Sequence, residues 1–166
     1  GMPGDIPMLD LRELGDHIFR RIGIEKGPAQ VTLTEDALLV RLPVPDEETA
    51  ARRIERYVRE RALAYFSERV RALYPVVGEK GAPYPAVGVR RMKSMWGSCN
   101  AAKGVIRFNT VLLCADGECI DYVVLHELTH LLIAGHQRDF YRFLAAAMPD
   151  WKRRKTRLNR LYSRYL

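Results

Sequence analysis

Three of the four histidines in this 166-residue chain fall between residues 126 and 136. The first two lie in the run His126-Glu127-Leu128-Thr129-His130, an HExxH pattern. On a helix with 3.6 residues per turn, side chains four apart lie about 40° apart around the axis, so both imidazoles can bind one ion. Glu127 lies about 100° from His126 around the axis, beside the ion, where a base for a metal-activated water is needed. The spacing therefore predicts metal-dependent hydrolysis.

A catalytic zinc site usually has three protein ligands and one open position for water. His136 follows His130 by six residues, and Gly135 stands immediately before it. Glycine can adopt the left-handed conformation that turns a chain back at the end of a helix. We therefore predict that His126, His130 and His136 bind one Zn²⁺ ion, although manganese, cobalt or nickel also suit such a site.

Catalysis at such a site needs a base and a second group that stabilises the oxyanion. A bound zinc lowers the pKa of its water to about 7 and polarises the scissile carbonyl. Glu127 is the predicted catalytic base, which accepts the water's proton and passes it to the leaving group. The sequence does not identify the oxyanion donor; Tyr122, Arg138 and Tyr141 are candidates, and packing is the favoured interpretation of Tyr141.

Hydrophobic periodicity predicts the elements that position these residues, and the fold class is α+β. The predicted helices cover residues 9–22, 46–74, 120–134, 137–148 and 150–165. The predicted strands cover residues 31–34, 38–42, 87–92 and 104–109, and residues 75–86 form a loop rich in proline and glycine. The helix over 120–134 is apolar nearly all round, which predicts burial. The fourth histidine, His17, lies in the first helix as a surface or capping residue.

Composition limits the class of protein and its compartment. Hydrophobic residues make up 48% of the chain and charged residues 28%, which is typical of a globular protein. No apolar run approaches the roughly 20 residues of a membrane span, and the amino terminus lacks signal-peptide features. The three cysteines form no CxxC pair, which favours a reducing compartment and predicts a cytoplasmic protein without a membrane partner. The oligomeric state is not determined by these features.

The net charge of +7 is concentrated at the carboxy terminus, where seven of the last 17 residues are basic and one is acidic. Such a cluster can bind nucleic acid or a nucleotide. It can equally form the solvated face of an amphipathic helix, because Trp151, Leu158, Leu161 and Tyr165 form an apolar stripe. We favour the solvated face and keep nucleic acid as the alternative.

A longer pattern surrounds the HExxH run. It comprises Lys93-Ser94, Trp96-Gly97-Ser98-Cys99, Gly104, Ile106, Arg107, Asn109, residues 120–124, Phe140 and Pro149. With these residues the chain resembles the YgjP-like metallopeptidases, relatives of the WLM and SprT-like zincins. The chain departs from the family pattern at Met95, Gly135, Tyr141 and the residues around Ala115.

The resemblance implies a zincin-like core, in which a small, mostly antiparallel sheet packs on a buried HExxH helix with flanking helices. It also implies the same ligands and base that the spacing predicts. Residues 46–166 are then a zincin-like metallopeptidase domain, and residues 1–45 are an amino-terminal helix and hairpin of the same unit, a single domain overall. For the Trp96-Gly97-Ser98-Cys99 segment we favour a structural role, with Trp96 in the core and Gly97 in a turn; the alternative is a hydrogen bond of Ser98 near the site.

The leading hypothesis is a zinc-dependent metallopeptidase acting on a peptide or protein. Peptides often bind by pairing with an exposed sheet edge, and the strand over 104–109 is the predicted edge. One alternative is a metal-dependent hydrolase of nucleotide phosphoanhydrides, and another is a DNA-associated protease of the SprT-like type, each using the basic carboxy-terminal helix. A non-catalytic metal-binding module is the third class.

Overall fold

The computed structural model describes residues 22–33 and 37–166. The chain divides into two compact units, Gly1–Arg61 and Ala62–Leu166. His17 and nearly all of the predicted helix over 9–22 lie outside the described residues. The predicted grouping of residues 1–45 and 46–166 into one domain stays a prediction.

The first unit contains a three-stranded mixed sheet. Its strands are β1 (Ile22–Lys26), β2 (Gln30–Leu33) and β3 (Leu38–Leu42), in the order β1-β3-β2. The predicted hairpin is present, because β2 and β3 pair antiparallel. Strand β1, which pairs parallel to β3, was not predicted as a strand. Alternate residues of β3 are buried, as expected for a strand with one face on a core.

The long predicted helix is present as α1 (Glu47–Leu73). It begins where the Asp46 carboxylate accepts a hydrogen bond from the Thr49 backbone N–H at 2.9 Å, which satisfies one unpaired donor of the first turn. Its buried positions recur every four residues: Ala50, Ile54, Val58, Ala62, Phe66 and Val70. Pro75 ends α1 as predicted, but it also opens a four-residue helix, α2 (Pro75–Gly78), where only loop was expected.

The second sheet lies in the second unit and determines which strand borders the metal site. Its strands are β4 (Ala86–Arg90), β5 (Gly97–Asn100) and β6 (Val105–Asn109), in the order β4-β6-β5. Strand β6 is parallel to β4 and antiparallel to β5, so the sheet is mixed rather than mostly antiparallel. The predicted edge over 104–109 is wrong, because β6 has a partner on each side. Strand β5, where a turn at Gly97 was expected, is at the edge.

Helices make up the rest of the second unit. They are a 3-10 helix (Thr110–Cys114), α3 (Gly117–Thr129), α4 (Arg138–Ala147), α5 (Trp151–Tyr162) and a final 3-10 turn (Ser163–Tyr165). Helix α3 is the predicted buried helix, but it ends at Thr129 instead of continuing to residue 134. Leu131 and Leu132 therefore leave the helix and are half-buried.

Two polar contacts fasten α3 at its start and middle. The Asp116 carboxylate accepts hydrogen bonds from the Cys119 backbone N–H at 3.0 Å and from Arg157 Nε at 2.8 Å. Arg69 on α1 donates two hydrogen bonds of 2.8 Å to Asp121. This paired geometry is the strong form of an arginine–carboxylate contact. Helix α3 packs on α4, on α5 and on β5. None of the described helices combines the length and apolar character needed to cross a membrane.

Candidate metal centre

The three predicted ligands converge at one point. Helix α3 and its cap residue supply His126 and His130 from successive turns, and His136 approaches from the segment before α4. The Nε2 atoms of His130 and His136 are 3.0 Å apart, and those of His136 and His126 are 3.2 Å apart. Tetrahedral ligands at 2.0–2.1 Å from zinc have nitrogen atoms about 3.3 Å apart, close to this spacing.

Hydrogen bonds on the opposite side of two rings orient their lone pairs toward that point. His126 Nδ1 lies 3.0 Å from Glu127 Oε2, and His130 Nδ1 lies 3.1 Å from the carbonyl oxygen of Ile133. Both partners are acceptors, so in the neutral rings Nδ1 carries the proton and Nε2 carries a lone pair. This is the outer hydrogen bond that metal-bound histidines typically make. A donor set of converging lone pairs fits a cation.

The electrostatics of His136 favour the neutral form that binds metal. Although the residue is largely exposed, its pKa is lowered from the ordinary value, first by the partial desolvation of its ring and then by the neighbouring His126 and His130 rings. The Lys155 ammonium acts in the same direction, so this charge lies near the site. A metal ligand must be deprotonated, and a lower pKa reduces the competition from protons.

A glycine turn brings His136 to the other two rings. Gly135 has a φ of 73°, in the left-handed region that glycine adopts without steric cost. No atom lies within 4 Å of a Cβ built on Gly135, so backbone conformation alone accounts for glycine there. Because α3 ends at Thr129, Gly135 does not cap that helix as expected; it turns the chain just before α4.

The aromatic ring of Phe140 packs against all three imidazoles. It is fully buried, and its ring centroid lies 5.1 Å from His126, 4.5 Å from His130 and 5.1 Å from His136. In the sequence, Phe140 stands out only as part of the family pattern. Because His136 lies before the start of α4, helical spacing does not predict the contact between Phe140 and the imidazoles.

The predicted base, Glu127, is buried between α3 and the edge strand β5. A Cβ added to Gly97 would lie 3.1 Å from Glu127 Cγ and 3.3 Å from the carbonyl oxygen of Arg107. Gly97 is therefore small because Glu127 lies against the backbone of β5, and it does not serve a turn. This packing holds the carboxylate in the cleft that the three histidines also line.

Asn109 holds the segment that leads into β5, through contacts that local sequence patterns do not predict. Its side chain is fully buried, and Nδ2 donates hydrogen bonds of 2.9 Å to the carbonyl oxygens of Met92 and Met95. Its Oδ1 accepts from the Val111 N–H at 3.2 Å, and its backbone N–H donates to Trp96 O at 2.8 Å. The amide group thus holds the segment before β5 through its donor and caps the 3-10 helix Thr110–Cys114 through its acceptor.

A cleft of about 610 Å³ opens over the three histidines and Glu127. Strand β5 forms one wall, where Ser98 lies. Trp96 is not in the core: it is half-buried in the cleft wall, and its Nε1 donates to Asn159 Oδ1 at 3.2 Å. Burial and the nearby Glu127 carboxylate raise the pKa of the Cys99 thiol to about 11, so this cleft residue stays a thiol at neutral pH.

The three candidate oxyanion donors occupy different places. Tyr122 lines the cleft, and burial raises the pKa of its hydroxyl, with Tyr141 and Glu127 adding to the effect. Tyr141 stacks on Trp151 with ring centroids 5.1 Å apart, as the packing interpretation predicts. Arg138 lines a neighbouring groove outside the cleft. Only Tyr122 of the three faces the cleft.

Comparisons with known proteins identify the family and support the fold. The family model described as "YgjP-like, metallopeptidase domain" matches residues 12–161. The solved structure of the metallopeptidase zymogen abylysin from Pyrococcus abyssi is similar, with a TM-score of 0.51 and 21% identity over 58% of this chain and 94% of that one. That likeness supports the α+β, zincin-like fold.

Two further solved structures are more distant. The metallopeptidase zymogen jannalysin from Methanocaldococcus jannaschii has a TM-score of 0.48 and 17% identity, over 57% of this chain and 94% of its own. A mutant of Wss1 from Saccharomyces cerevisiae has a TM-score of 0.44 and 16% identity, over 83% of this chain and 94% of its own. No curated protein matches the chain.

Proposed function

The chain belongs to the YgjP-like metallopeptidase family, and on that premise we propose that it is a zinc-dependent peptidase. In this proposal His126, His130 and His136 hold one Zn²⁺ ion, and Glu127 is the catalytic base. The observation that carries the proposal is the convergence of three Nε2 atoms, 3.0 and 3.2 Å apart, beside a buried carboxylate. Zinc bound there supplies Lewis acidity, which polarises a carbonyl and lowers the pKa of water to about 7.

Glu127 holds and moves the proton. Its Oε2 accepts a hydrogen bond from His126 Nδ1, which leaves the other oxygen to accept a proton from the attacking water and return it to the leaving amine. The packing of Gly97 and α3 around the side chain fixes its position, and burial keeps bulk water away from it. The Tyr122 hydroxyl, protonated at neutral pH and lining the cleft, is the favoured oxyanion donor.

Strand β5 is the proposed docking edge for the substrate backbone. It borders the cleft, and β6 is its one sheet partner among residues 86–109. Its outer N–H and C=O groups are therefore free to pair with an extended peptide. This moves the predicted edge from residues 104–109 to Gly97–Asn100.

The phosphoanhydride and DNA-associated alternatives depend on the basic carboxy-terminal helix. Three of its arginines form salt bridges with acidic side chains of the same unit. Arg153 and Arg154 pair with Asp150, and Arg157 pairs with Asp116. This pairing supports a docked structural helix, which is why the peptidase is preferred. The cytoplasmic location stays a prediction.

Metal content is the first test. Elemental analysis of protein purified without chelators should give about one equivalent of zinc, and His136→Ala should give much less. Full retention of metal by His136→Ala would remove that residue from the ligand set. Wild-type protein that takes up no metal when zinc is supplied would end the proposal.

Activity is the second test, with Glu127→Gln as the matched control because it keeps the shape and removes the base. We expect zinc-dependent cleavage of peptides by the wild type and a loss of about 100-fold or more in Glu127→Gln, with its zinc retained. Release of pyrophosphate from nucleoside triphosphates that depends on Glu127, without peptide cleavage, would support the phosphoanhydride alternative. Bound zinc with no hydrolysis of either substrate class would support the non-catalytic module.

A further inference from the structure

Helices α4 and α5 form a positively charged groove beside the metal cleft. Arg138 and Arg142 line it from α4, and Lys152 and Lys155 line it from α5. Each pair is three or four residues apart, so its members share one face of their helix. Between them lies the stack of Tyr141 on Trp151. We call these six residues the basic groove.

The four cations of the basic groove differ from the other basic residues of α5. Arg153, Arg154 and Arg157 make ion pairs with acidic side chains, whereas the groove cations make none among the described residues. No acidic side chain of the described part of the chain lines the groove. The Lys152 Nζ atom lies over the Trp151 ring, 5.6 Å from its centroid. Four like charges without internal partners create a positive potential that attracts an acidic ligand.

The basic groove and the metal cleft are neighbours, because one hydrogen bond joins Asn159, beside the groove lysines, to Trp96 in the cleft wall. Asn159 lies four residues after Lys155 and seven after Lys152, so all three share a face of α5. Its side chain accepts the hydrogen bond from Trp96, which forms part of the cleft wall. A chain lying along β5 therefore leaves the cleft, at the Trp96 end, next to the groove lysines.

We propose that the basic groove binds acidic side chains next to the scissile bond, so that the preferred substrates are acidic polypeptide segments. The inference rests on the proposed peptidase function and names its substrate class. Pairing with β5 would engage only the backbone of a peptide, which leaves side chains to be selected by neighbouring surfaces. Nucleic acid is less favoured, because three arginines of α5 are turned to internal acids instead of extending the array of cations.

The test measures binding separately from cleavage. Zinc-loaded Glu127→Gln protein is titrated into three fluorescein-labelled dodecapeptides with one apolar centre, flanked on both sides by glutamate, glutamine or lysine. Fluorescence anisotropy at about 0.05 M salt should show the glutamate peptide binding about tenfold tighter than the glutamine peptide. The difference should shrink at about 0.5 M salt, because exposed charges are then screened.

The variants assign the preference to the groove. Lys152→Gln combined with Lys155→Gln should weaken binding of the glutamate peptide by about five- to tenfold and leave the glutamine peptide unchanged. Arg160→Gln is the matched control, because Arg160 is an exposed cation of α5 that lines neither the groove nor the cleft. It should leave both affinities unchanged.

Equal binding of the glutamate and glutamine peptides would overturn the inference. A labelled 20-mer DNA that binds tighter than the glutamate peptide, through the same two lysines, would overturn it in favour of nucleic acid. Wild-type protein that cleaves the glutamine peptide as fast as the glutamate peptide would overturn it while leaving the peptidase intact. If the glutamate peptide binds in a way that requires Lys152 and Lys155, but no peptide is cleaved, the result would support the basic groove and count against the peptidase function.

Discussion

The two halves of the metal centre are built on different principles. His126 and Glu127 belong to helix α3 and His130 is its cap residue; this helix is buried nearly all round and is held by the contacts of Asp116 and Asp121. His136 is exposed and depends on a non-helical segment with a left-handed glycine. Helical periodicity and core packing position the helical half, which comprises His126, Glu127 and His130. The backbone conformation of Gly135 positions the turn half, which comprises His136 and the segment before it. We therefore expect the two halves to fail differently when they are altered.

Removal of one ligand from each half should have the largest effect. His130→Ala and His136→Ala should each weaken zinc binding by at least about 100-fold, more than loss of a supporting hydrogen bond usually costs. The metal-free proteins should differ, because His130 also contacts Ile133 and stacks on Phe140. We expect His130→Ala to lose about 1–2 kcal/mol of stability and exposed His136→Ala to lose less than about 0.5. Zinc titration and denaturant unfolding check both, and equal destabilisation would contradict the division.

Gly97→Ala tests how tightly the helical half is packed. Its Cβ would press on Glu127 Cγ at 3.1 Å, so the carboxylate must shift by a few tenths of an ångström. We expect kcat to fall about tenfold, since small displacements of a catalytic group are costly, with zinc affinity unchanged. Gly88→Ala in β4 is the control, because the nearest atom to its Cβ would lie at an ordinary 3.7 Å. An unchanged kcat in Gly97→Ala would show that Glu127 tolerates displacement.

Gly135→Ala tests the backbone conformation of the turn half. A non-glycine residue in the left-handed region costs about 1 kcal/mol, which predicts about fivefold weaker zinc binding. Gly81→Ala introduces the same kind of strain, at a φ of 96°, in a loop that does not line the cleft. Isothermal titration with zinc should separate the two variants. Equal zinc affinities would mean that the turn does not position His136.

Asp116→Asn should give the smallest effect, on the stability of the helical half. Burial raises the pKa of this carboxyl, but the Cys119 N–H and the Arg157 guanidinium outweigh it, and the pKa lies below the ordinary 3.8. A lowered folded-state pKa means that the stabilisation is present at neutral pH and is lost as pH falls below about 4. We expect wild type to exceed Asp116→Asn by about 0.5–1 kcal/mol at pH 7. The gap should close near pH 3, and a constant gap in the unfolding curves would contradict this assignment.

Much of the fold was predictable from local patterns. The helices α1, α4 and α5, and the strands β3, β4 and β6, were found within a few residues because apolar residues recur at the period of each element. The family was recognised from the Trp96-Gly97-Ser98-Cys99 and HExxH segments, and the family match bears it out. Strands β1 and β5 were missed because they are short and lack clear alternation. The end of α3 was misplaced because Leu131 and Leu132 continue its apolar run.

Local patterns along the chain predict the chemistry of the candidate site: two histidines at helical spacing with an adjacent glutamate, and a glycine before a third histidine. These features involve residues that are close together in the chain, so local periodicity and backbone preference are enough to predict them. Three features depend on the folded structure: β5 is at the edge of its sheet, Gly97 makes room for Glu127, and Phe140 packs against the imidazoles. The folded structure also decides which basic residues of α5 meet internal acids and which face the basic groove. Such contacts join residues far apart in sequence, and their geometry is fixed by the packing of whole elements.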